Sequence, residues 1–466
     1  MNVSTATTES PEPPSSWAVL DPCTAQTIRT VELATAIDVD LVVRRAAAVQ
    51  QRWAALTTQD RCRMLRRFAR TVEEHGEELA QLEALNCGKP IGGARWEAQA
   101  AADALSYYAA AVEQHHGTTL PWNDGIVLTL HEPLGVVGAI VPWNFPMLIA
   151  SWKIGPALAC GNAIILKPSE ITPLTAMRLG ELAVQSGLPE HLLQVLVGSG
   201  PVVGQAMVEH PGIAKIGFTG STATGKQIMR SAVDSLKRVT LELGGKSANI
   251  VFADADLEKA AAGIPGSIYD NSGQDCCARG RILVETSVHD RFVEMVVDIT
   301  KSIKVSTPDD PDSYMGPLIS AQHLAKVRSF DGEGDVAFRG VTPDGPGFWF
   351  PPTVVTGISR TGRLANEEVF GPVVAVLPFT DEADAAALAN ATVYGLSGSI
   401  WTRDSSRALR MARAVQSGTL SVNSNSSVRY SMPFGGFKQS GIGRDLGVDA
   451  LGHYSETKTV FISTTT

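Results

Sequence analysis

A carboxylate and a thiol set among small residues suggest the chemistry of this chain. Glu242 lies in Leu241-Glu-Leu-Gly-Gly-Lys-Ser247 and Cys276 in Gly273-Gln-Asp-Cys-Cys-Ala-Arg-Gly-Arg281. A cysteine is a useful nucleophile only where its thiolate is accessible and supported by a base or by dipoles, and glycines let backbone amides approach a reacting carbonyl. The pair therefore suits covalent chemistry at a carbonyl carbon with a general base at hand. Taken singly, a cysteine is more often a small core hydrophobe and a glutamate a solvated surface charge, so the assignment depends on the segments around them.

Those segments are Val141-Pro-Trp-Asn-Phe-Pro146, Lys167-Pro-Ser-Glu170, Gly217-Phe-Thr-Gly-Ser221, Glu367-Glu-Val-Phe-Gly-Pro372 and Pro433-Phe-Gly-Gly-Phe-Lys-Gln-Ser-Gly441. In this order and at these spacings, from the N-terminal helices to Tyr454-Ser-Glu-Thr-Lys-Thr459, the chain resembles the NAD(P)-dependent aldehyde dehydrogenase superfamily over nearly its whole length. The resemblance implies that Cys276 attacks an aldehyde. The oxyanion would be held by the Asn144 side-chain amide and the Cys276 backbone N–H. Hydride then passes to nicotinamide, and Glu242 activates the water that hydrolyses the thioester. Lys153 belongs to the same catalytic group. Loss of one oxyanion donor typically costs ~10²- to 10³-fold in rate, and a general base contributes ~10²- to 10⁴-fold. Family members that acylate coenzyme A generally lack the glutamate found here as Glu242, so the expected product is a free carboxylic acid.

NAD is the expected cofactor. Gly198-Ser-Gly-Pro-Val-Val-Gly204 follows a predicted strand but is one residue too long for the standard dinucleotide fingerprint, a weak signal in any case. The pyrophosphate is better placed at Gly220-Ser221, where a helix begins and backbone N–H groups favour an anion. Lys167, Ser169 and Glu170 end a buried strand, on the side of a parallel sheet where ligands bind. By resemblance Lys167 and Glu170 hold the adenosine ribose. A 2′-phosphate would meet the Glu170 charge, which favours NAD over NADP. Resemblance also gives Pro142, Trp143, Leu243 and Gly244 to the cofactor, with Glu368 on the nicotinamide ribose and Phe370 beside the ring.

The substrate tunnel, placed by alignment, is lined by Phe145, Leu148, Ile149 and Trp152, with Val428 and Phe434 from the C-terminal region. Cys277 adjoins the nucleophile and is expected to point elsewhere, unless the two close a disulfide as reversible oxidative protection. Asp275 departs from the apolar residue of many members, and Gly-Gln-Asp-Cys is similar to the γ-aminobutyraldehyde dehydrogenases. A carboxylate there would attract an ammonium group, so ω-aminoaldehydes lead. The alternatives are that Asp275 enters a hydrogen-bond network, that Arg429 clamps the carboxylate of a semialdehyde such as succinate semialdehyde, that the enzyme takes aliphatic or aromatic aldehydes broadly, or that the protein is a structural member like the lens crystallins.

The elements that must position these residues follow from pattern. A chain of 466 residues with 44% hydrophobic and 19% charged residues can bury more than one core. A net charge of −9 without Lys/Arg runs excludes nucleic acid and acidic membranes as natural partners, leaving a small molecule. Residues 1–12 read as a disordered tail and not as a signal peptide. The apolar region from Leu134 to Leu166 is interrupted by Pro142, Pro146, Lys153 and Pro156, so no membrane span is expected. The six scattered cysteines favour reduced thiols in the cytoplasm over disulfides or a metal site.

Residues 40 to 90 read as packed helices through Met64, Leu65, Phe68, Val72, Leu79, Leu82 and Leu85, closed by Gly88 and Pro90. Beyond residue 134, short apolar strands alternate with helices, which predicts an α/β fold with parallel sheets. Strands are expected at Val136–Val141, Ala163–Leu166, Gln194–Val197, Lys215–Phe218 and Val239–Leu243, then at Ser247–Phe252 and Arg281–Val284. The expected division is a Rossmann-like NAD-binding domain (1–114 and 134–243), an α/β catalytic domain (244–452) and a small β arm (115–133 and 453–466) whose hairpin turns at Asn123-Asp-Gly125. In the family that arm serves oligomerisation, implying a homodimer or homotetramer. Against the family's usual length, Ser329–Val336 looks shortened.

Overall fold

The computed structural model describes residues 14–426 and 428–465, and the tail expected at residues 1–12 lies outside them. A ribbon of β1 (Ser16–Leu20) and β2 (Thr27–Glu32) leads into four helices, α1 (Ala36–Ala54), α2 (Thr58–Glu74), α3 (Gly76–Cys87) and α4 (Ile91–Ala111). Their limits follow from local chemistry. Thr35 and Asp38 form a capping box before α1, Thr57 caps α2 through the Asp60 amide, and Gly88, at φ 73°, closes α3 in the left-handed region that glycine tolerates. Leu65, Phe68, Val72 and Leu79 are buried as the pattern predicts. Leu85 instead faces solvent, because Glu83 takes an inward position on α3 and is bonded there by Lys89 and Thr175.

A hairpin follows, β3 (Thr119–Trp122) and β4 (Gly125–Pro133), turning at Asn123 and Asp124. The first large sheet contains β5 (Val136–Ile140), β6 (Ala163–Lys167), β7 (Leu193–Val195), β8 (Lys215–Thr219) and β9 (Arg238–Glu242), all parallel. Its spatial order is β9-β8-β5-β6-β7. The chain builds outward from β5 in one direction and then from β8 in the other, so the switch point lies between β5 and β8, where a crevice forms at the carboxyl ends of the strands. Helix α5 (Pro146–Ala159), buried along its whole length, and α6 (Leu174–Gln185) pack against this sheet.

The second sheet has β10 (Ala248–Val251), β11 (Arg281–Glu285), β12 (Asp335–Arg339), β13 (Thr353–Thr356), β14 (Val373–Phe379), β15 (Ser397–Trp401) and β16 (Thr419–Val422). They lie in the order β12-β13-β14-β11-β10-β15-β16, parallel except for β12. Short β17 (Gly441–Ile442) returns to the first sheet and pairs antiparallel with β9. This crosses the division expected from sequence, which allotted residues 441 and 442 to the second unit. Finally β18 (Ser455–Ser463) pairs along β4 and completes a three-stranded antiparallel arm. Residues 329–334 are a run of turns between the helix Ala321–Arg328 and β12. One core cluster joins the first sheet to α1–α5, and two others cover the faces of the second sheet. Among the described residues no helix is long and apolar enough to cross a membrane.

Between β10 and β11 the chain makes an unusual bend. Asn271, Ser272 and Gly273 occupy the left-handed region in succession, at φ 47°, 58° and 71°. A β-carbon at Gly273 would stand 2.3 Å from the Gly371 carbonyl oxygen. The conformation is costly and persists only where its surroundings determine it. Three bonds do so: Asn271 Nδ2 donates to the Asn144 carbonyl at 2.9 Å, Ser272 Oγ to Gly316 O at 2.8 Å, and the Ile319 amide to Gln274 Oε1 at 2.9 Å. Gly273→Ala is expected to lower stability by at least about 2 kcal/mol through backbone strain and that collision, read as the urea midpoint; an unchanged midpoint would show that the bend relaxes freely.

Candidate active site

The strand ends bring distant residues to one crevice. Ile140, the last residue of β5, leads into Pro142 and Trp143; β8 ends at Thr219, before Gly220; and β9 ends at Glu242 itself. Asn144 precedes α5, and Cys276 follows the left-handed bend. A cavity of about 240 Å³ opens over them. Its walls unite Cys276, Glu242 and Asn144 with all of Pro142, Trp143, Gly220, Ser221, Leu243, Gly244, Glu368 and Phe370.

Asn144 is fixed from three directions. Its carbonyl accepts from Lys89 Nζ and from Asn271 Nδ2, each at 2.9 Å, and its own Nδ2 donates to the Gln274 carbonyl at 2.9 Å. An amide nitrogen carries two hydrogens, so one remains for another acceptor. Among the described residues no backbone carbonyl takes the Cys276 N–H. Two donors beside the thiol are thus left for a developing oxyanion. Behind them, Lys89 is buried between Glu97 at 2.5 Å and Glu83 at 3.4 Å.

Electrostatics hold the reacting groups in their neutral forms. The Cys276 thiol is pushed well above its ordinary value, first by the hydrogen bond it shares with the Cys277 thiol and then by burial. Glu242 has both carboxylate oxygens buried without a partner. Burial raises its pKa well above the carboxylate range; Asp445 adds to the rise, while Lys153 and Arg444 oppose it. Lys153 is fully buried and ion-paired with Asp445 at 2.8 Å, beneath the crevice and not on its wall. Glu368 accepts from the Gly245 amide at 2.8 Å, and burial raises its pKa also.

Lys167, Ser169 and Glu170 stand apart from this cavity at the end of β6. Lys167 Nζ donates to the Pro168 carbonyl at 3.0 Å and lies 3.5 Å from Glu170, while Ser169 Oγ accepts from the Ile171 amide. Within the Gly198–Gly204 run, residues Gly200–Gly204 form one wide helical turn whose Gly204 packs beside the Lys167 stem. Two wall residues, His323 and Lys326, lie outside every sequence motif, and a third, Thr219, lies within Gly217–Ser221 without having been singled out. Burial pushes His323 down to about 4, so it is neutral and its Nε2 bonds the Phe370 carbonyl at 2.7 Å.

A second cavity, of about 280 Å³, is lined by Leu148, Trp152 and Val428, as expected, and by Trp96, Asp103, Arg429 and Tyr430. Other expected tunnel residues sit elsewhere. Ile149 is buried in the core, Phe145 lies under Lys89 Nζ, 4.8 Å from its ring centre, and Phe434 is buried behind Trp152. Cys277 is a core residue on neither wall, yet its thiol does not point away: the sulfurs of Cys276 and Cys277 and an Asp275 oxygen all lie within 4.8 Å of one another. Both cysteines are free thiols. Asp275 turns back on its own loop and accepts from the Cys277 amide at 2.8 Å, which is the network alternative and not the ammonium site.

Comparison with known proteins agrees with this geometry. Residues 9–460 match the model of the "Aldehyde dehydrogenase family". The NADP/NAD-dependent aldehyde dehydrogenase PuuC of Escherichia coli is 42% identical over 457 residues, covering 96% of this chain and 92% of that protein. Human cytosolic 10-formyltetrahydrofolate dehydrogenase is 41% identical over 457 residues, 95% of this chain but 51% of its own; the chain spans about half the length of such relatives. The crystal structure of betaine aldehyde dehydrogenase from Staphylococcus aureus in complex with NAD+ superposes with a TM-score of 0.94 at 37% identity, over 97% of this chain and 92% of that one.

The half-buried Cys276 is expected to be alkylated by iodoacetamide before the five buried cysteines. Because thiolate is the reacting form and its pKa is raised above 9.0, the rate should still be climbing at pH 9. Peptide mass spectrometry reads the order; another cysteine labelled first, or a rate already level at neutral pH, contradicts the assignment.

Proposed function

The chain belongs to the aldehyde dehydrogenase family, and on that premise we propose that it oxidises an aldehyde to the free carboxylic acid with NAD as acceptor. The observation that carries the reading is the convergence of Cys276, Asn144 and Glu242 on one cavity whose remaining wall suits a dinucleotide. Trp143 and Phe370 stand edge to face at 5.3 Å, Ser221 caps the helix Thr222–Ala232, and a β-carbon on Gly244 would strike Glu368 at 2.6 Å, so only glycine lets the Glu368 carboxylate pack there. NAD, when bound, supplies the hydride acceptor.

The protein's own residues do the rest. Cys276 gives its S–H proton to the ionised Glu242 carboxylate, which passes it to solvent; the thiolate Sγ then bonds to the aldehyde carbon as the C=O π bond opens to an oxyanion held by the Asn144 amide and the Cys276 N–H. After hydride leaves, the carbon is a thioester. Glu242 then takes a proton from water, whose oxygen attacks the thioester carbon and releases the acid and the thiol. Glu242 has no protein partner to displace first. Neighbouring Lys153 favours the charged form that must act. The complete set of three argues against a purely structural, crystallin-like role. Glu170 supports NAD over NADP, and the six free thiols fit the reducing cytoplasm.

For the substrate, the ω-aminoaldehyde class keeps its lead on a different carboxylate. Asp275 is engaged by its own loop, whereas Asp103 faces the second cavity among aromatic side chains. The structurally similar S. aureus protein is named for betaine aldehyde, itself a cation.

Self-association through the arm completes the reading, as a homodimer or homotetramer. Leu120, Trp122, Phe461 and Ile462 are each about half exposed on β3 and β18, a concentration of apolar surface that suits a second copy. Light scattering should give a mass of at least two chains, reduced in Trp122→Asp/Phe461→Asp; a monomeric wild type overturns this.

Glu242→Gln should show a burst of NADH followed by turnover slowed ~10²- to 10⁴-fold as acyl-enzyme accumulates. Since Glu242 must ionise to act and its pKa is raised, wild-type deacylation should rise with pH beyond the range of an ordinary carboxylate, a limb that the glutamine variant lacks. Undiminished turnover removes Glu242 from the mechanism. In the same assay kcat/KM should favour NAD over NADP by at least about tenfold, ~1.4 kcal/mol; equal use refutes the role given to Glu170.

A further inference from the structure

The second cavity contains two opposite charges that the protein does not pair. Asp103, on α4, has one carboxylate oxygen held by Gln99 Nε2 at 3.0 Å. Arg429, on the segment that leads to Phe434, makes no side-chain hydrogen bond or ion pair among the described residues. Trp96, 59% exposed, stands with Trp152 and Tyr430 around them, over Leu148. We propose that this cavity is the mouth of the substrate channel and recognises an aldehyde whose far end carries both signs, its ammonium at Asp103 and its carboxylate at Arg429. The proposal rests on the reading of Cys276 as the nucleophile and narrows the amino-bearing class to aldehydes whose amino-bearing carbon also carries a carboxylate, in place of simple ω-aminoaldehydes.

Distance supports the placement. Leu148 and Trp152 lie on α5, whose first residue, Pro146, comes two positions after Asn144. At 1.5 Å per residue they stand about 3 and 9 Å along α5 from Pro146, its first residue. That ordering places the charged pair toward the remote end of a substrate whose carbonyl lies at Cys276.

Charge supports the choice of a zwitterion. Opposite charges at a wet surface gain little by pairing with each other, and these two remain apart within one cavity. A ligand with both signs gives each a charge-assisted hydrogen bond, and the planar guanidinium fork suits a carboxylate. The faces of Trp96, Trp152 and Tyr430 add attraction for an ammonium group. A head with one charge fares worse: an ammonium alone is repelled by Arg429, and a carboxylate alone by Asp103. Selection here works by repulsion as much as by attraction.

Four aldehydes of matched length test this: 2-(trimethylammonio)-6-oxohexanoate, 5-(trimethylammonio)pentanal, 6-oxohexanoate and pentanal, with NADH formation as readout. The quaternary nitrogen cannot close on the aldehyde as an imine. The wild-type kcat/KM should be at least tenfold higher for the zwitterion than for either singly charged aldehyde, mainly through KM. Asp103→Asn should bring the ratio of zwitterion to 6-oxohexanoate near one, and Arg429→Gln the ratio of zwitterion to 5-(trimethylammonio)pentanal. Each ratio is read within one variant, so loss of folded enzyme cancels, and the wild-type series decides the matter should a variant not fold. Turnover of pentanal without any charge preference, or a preference for one singly charged aldehyde, overturns the mouth assignment alone. Absence of NADH with all four overturns the reading of Cys276 and this one with it.

Discussion

A buried ammonium holds the reactive centre together. Lys89 is enclosed by Glu83 and Glu97, and its remaining hydrogen bond goes to the Asn144 carbonyl. Enclosing charged groups away from water is expensive unless geometry and hydrogen bonds compensate, and removing one partner from such a cluster typically costs about 3–5 kcal/mol. Burial and the like charge of Glu83 push Glu97 well above the ordinary carboxylate range, while Lys89 draws it back. The cluster joins α3, α4 and the turn before α5. Since Asn271 donates to the same carbonyl, the left-handed bend that presents Cys276 takes its position from this point as well.

From that anchor the site follows as a consequence of sheet topology. Parallel strands end on one edge, and the reversal of order between β5 and β8 opens the crevice there. Glu242 reaches it as the last residue of β9 and remains unpartnered. Thiol and carboxyl are both kept neutral at rest, Cys276 by its neighbouring thiol and by burial, Glu242 by burial and by Asp445. Two neutral groups in one small cavity avoid the repulsion that two anions would suffer, and a bound ligand changes that balance only when it arrives.

Much of this was legible in the sequence because it rests on local chemistry. Strand and helix limits came from apolar runs with glycine, proline and capping residues, and the catalytic residues from motifs whose spacing is tied to strand ends. What escaped depends on contacts between segments far apart. Nothing around Lys89 or Glu97 announces a buried ion cluster, since both look like surface charges until α3 and α4 pack. Asp275 attracted notice as a carboxylate beside a thiol, yet the amide of Cys277, two residues on, takes it. Asp103 sits in an alanine-rich helix with no motif, and only the packing of α4 against α5 brings it to the second cavity. Residues 441 and 442 were read with the second sheet because β17 is too short to show a period.

The pairing of β17 with β9 places Gly441 opposite Glu242. A short ladder thus fastens the C-terminal segment to the strand that carries the base, downstream of Phe434 and upstream of Asp445. Val428, Arg429 and Tyr430 precede that fastening and line the second cavity. The fold therefore separates two kinds of inherited change: substitutions at Val428–Tyr430 reshape the second cavity, while Glu242, paired into the ladder opposite Gly441, keeps its place.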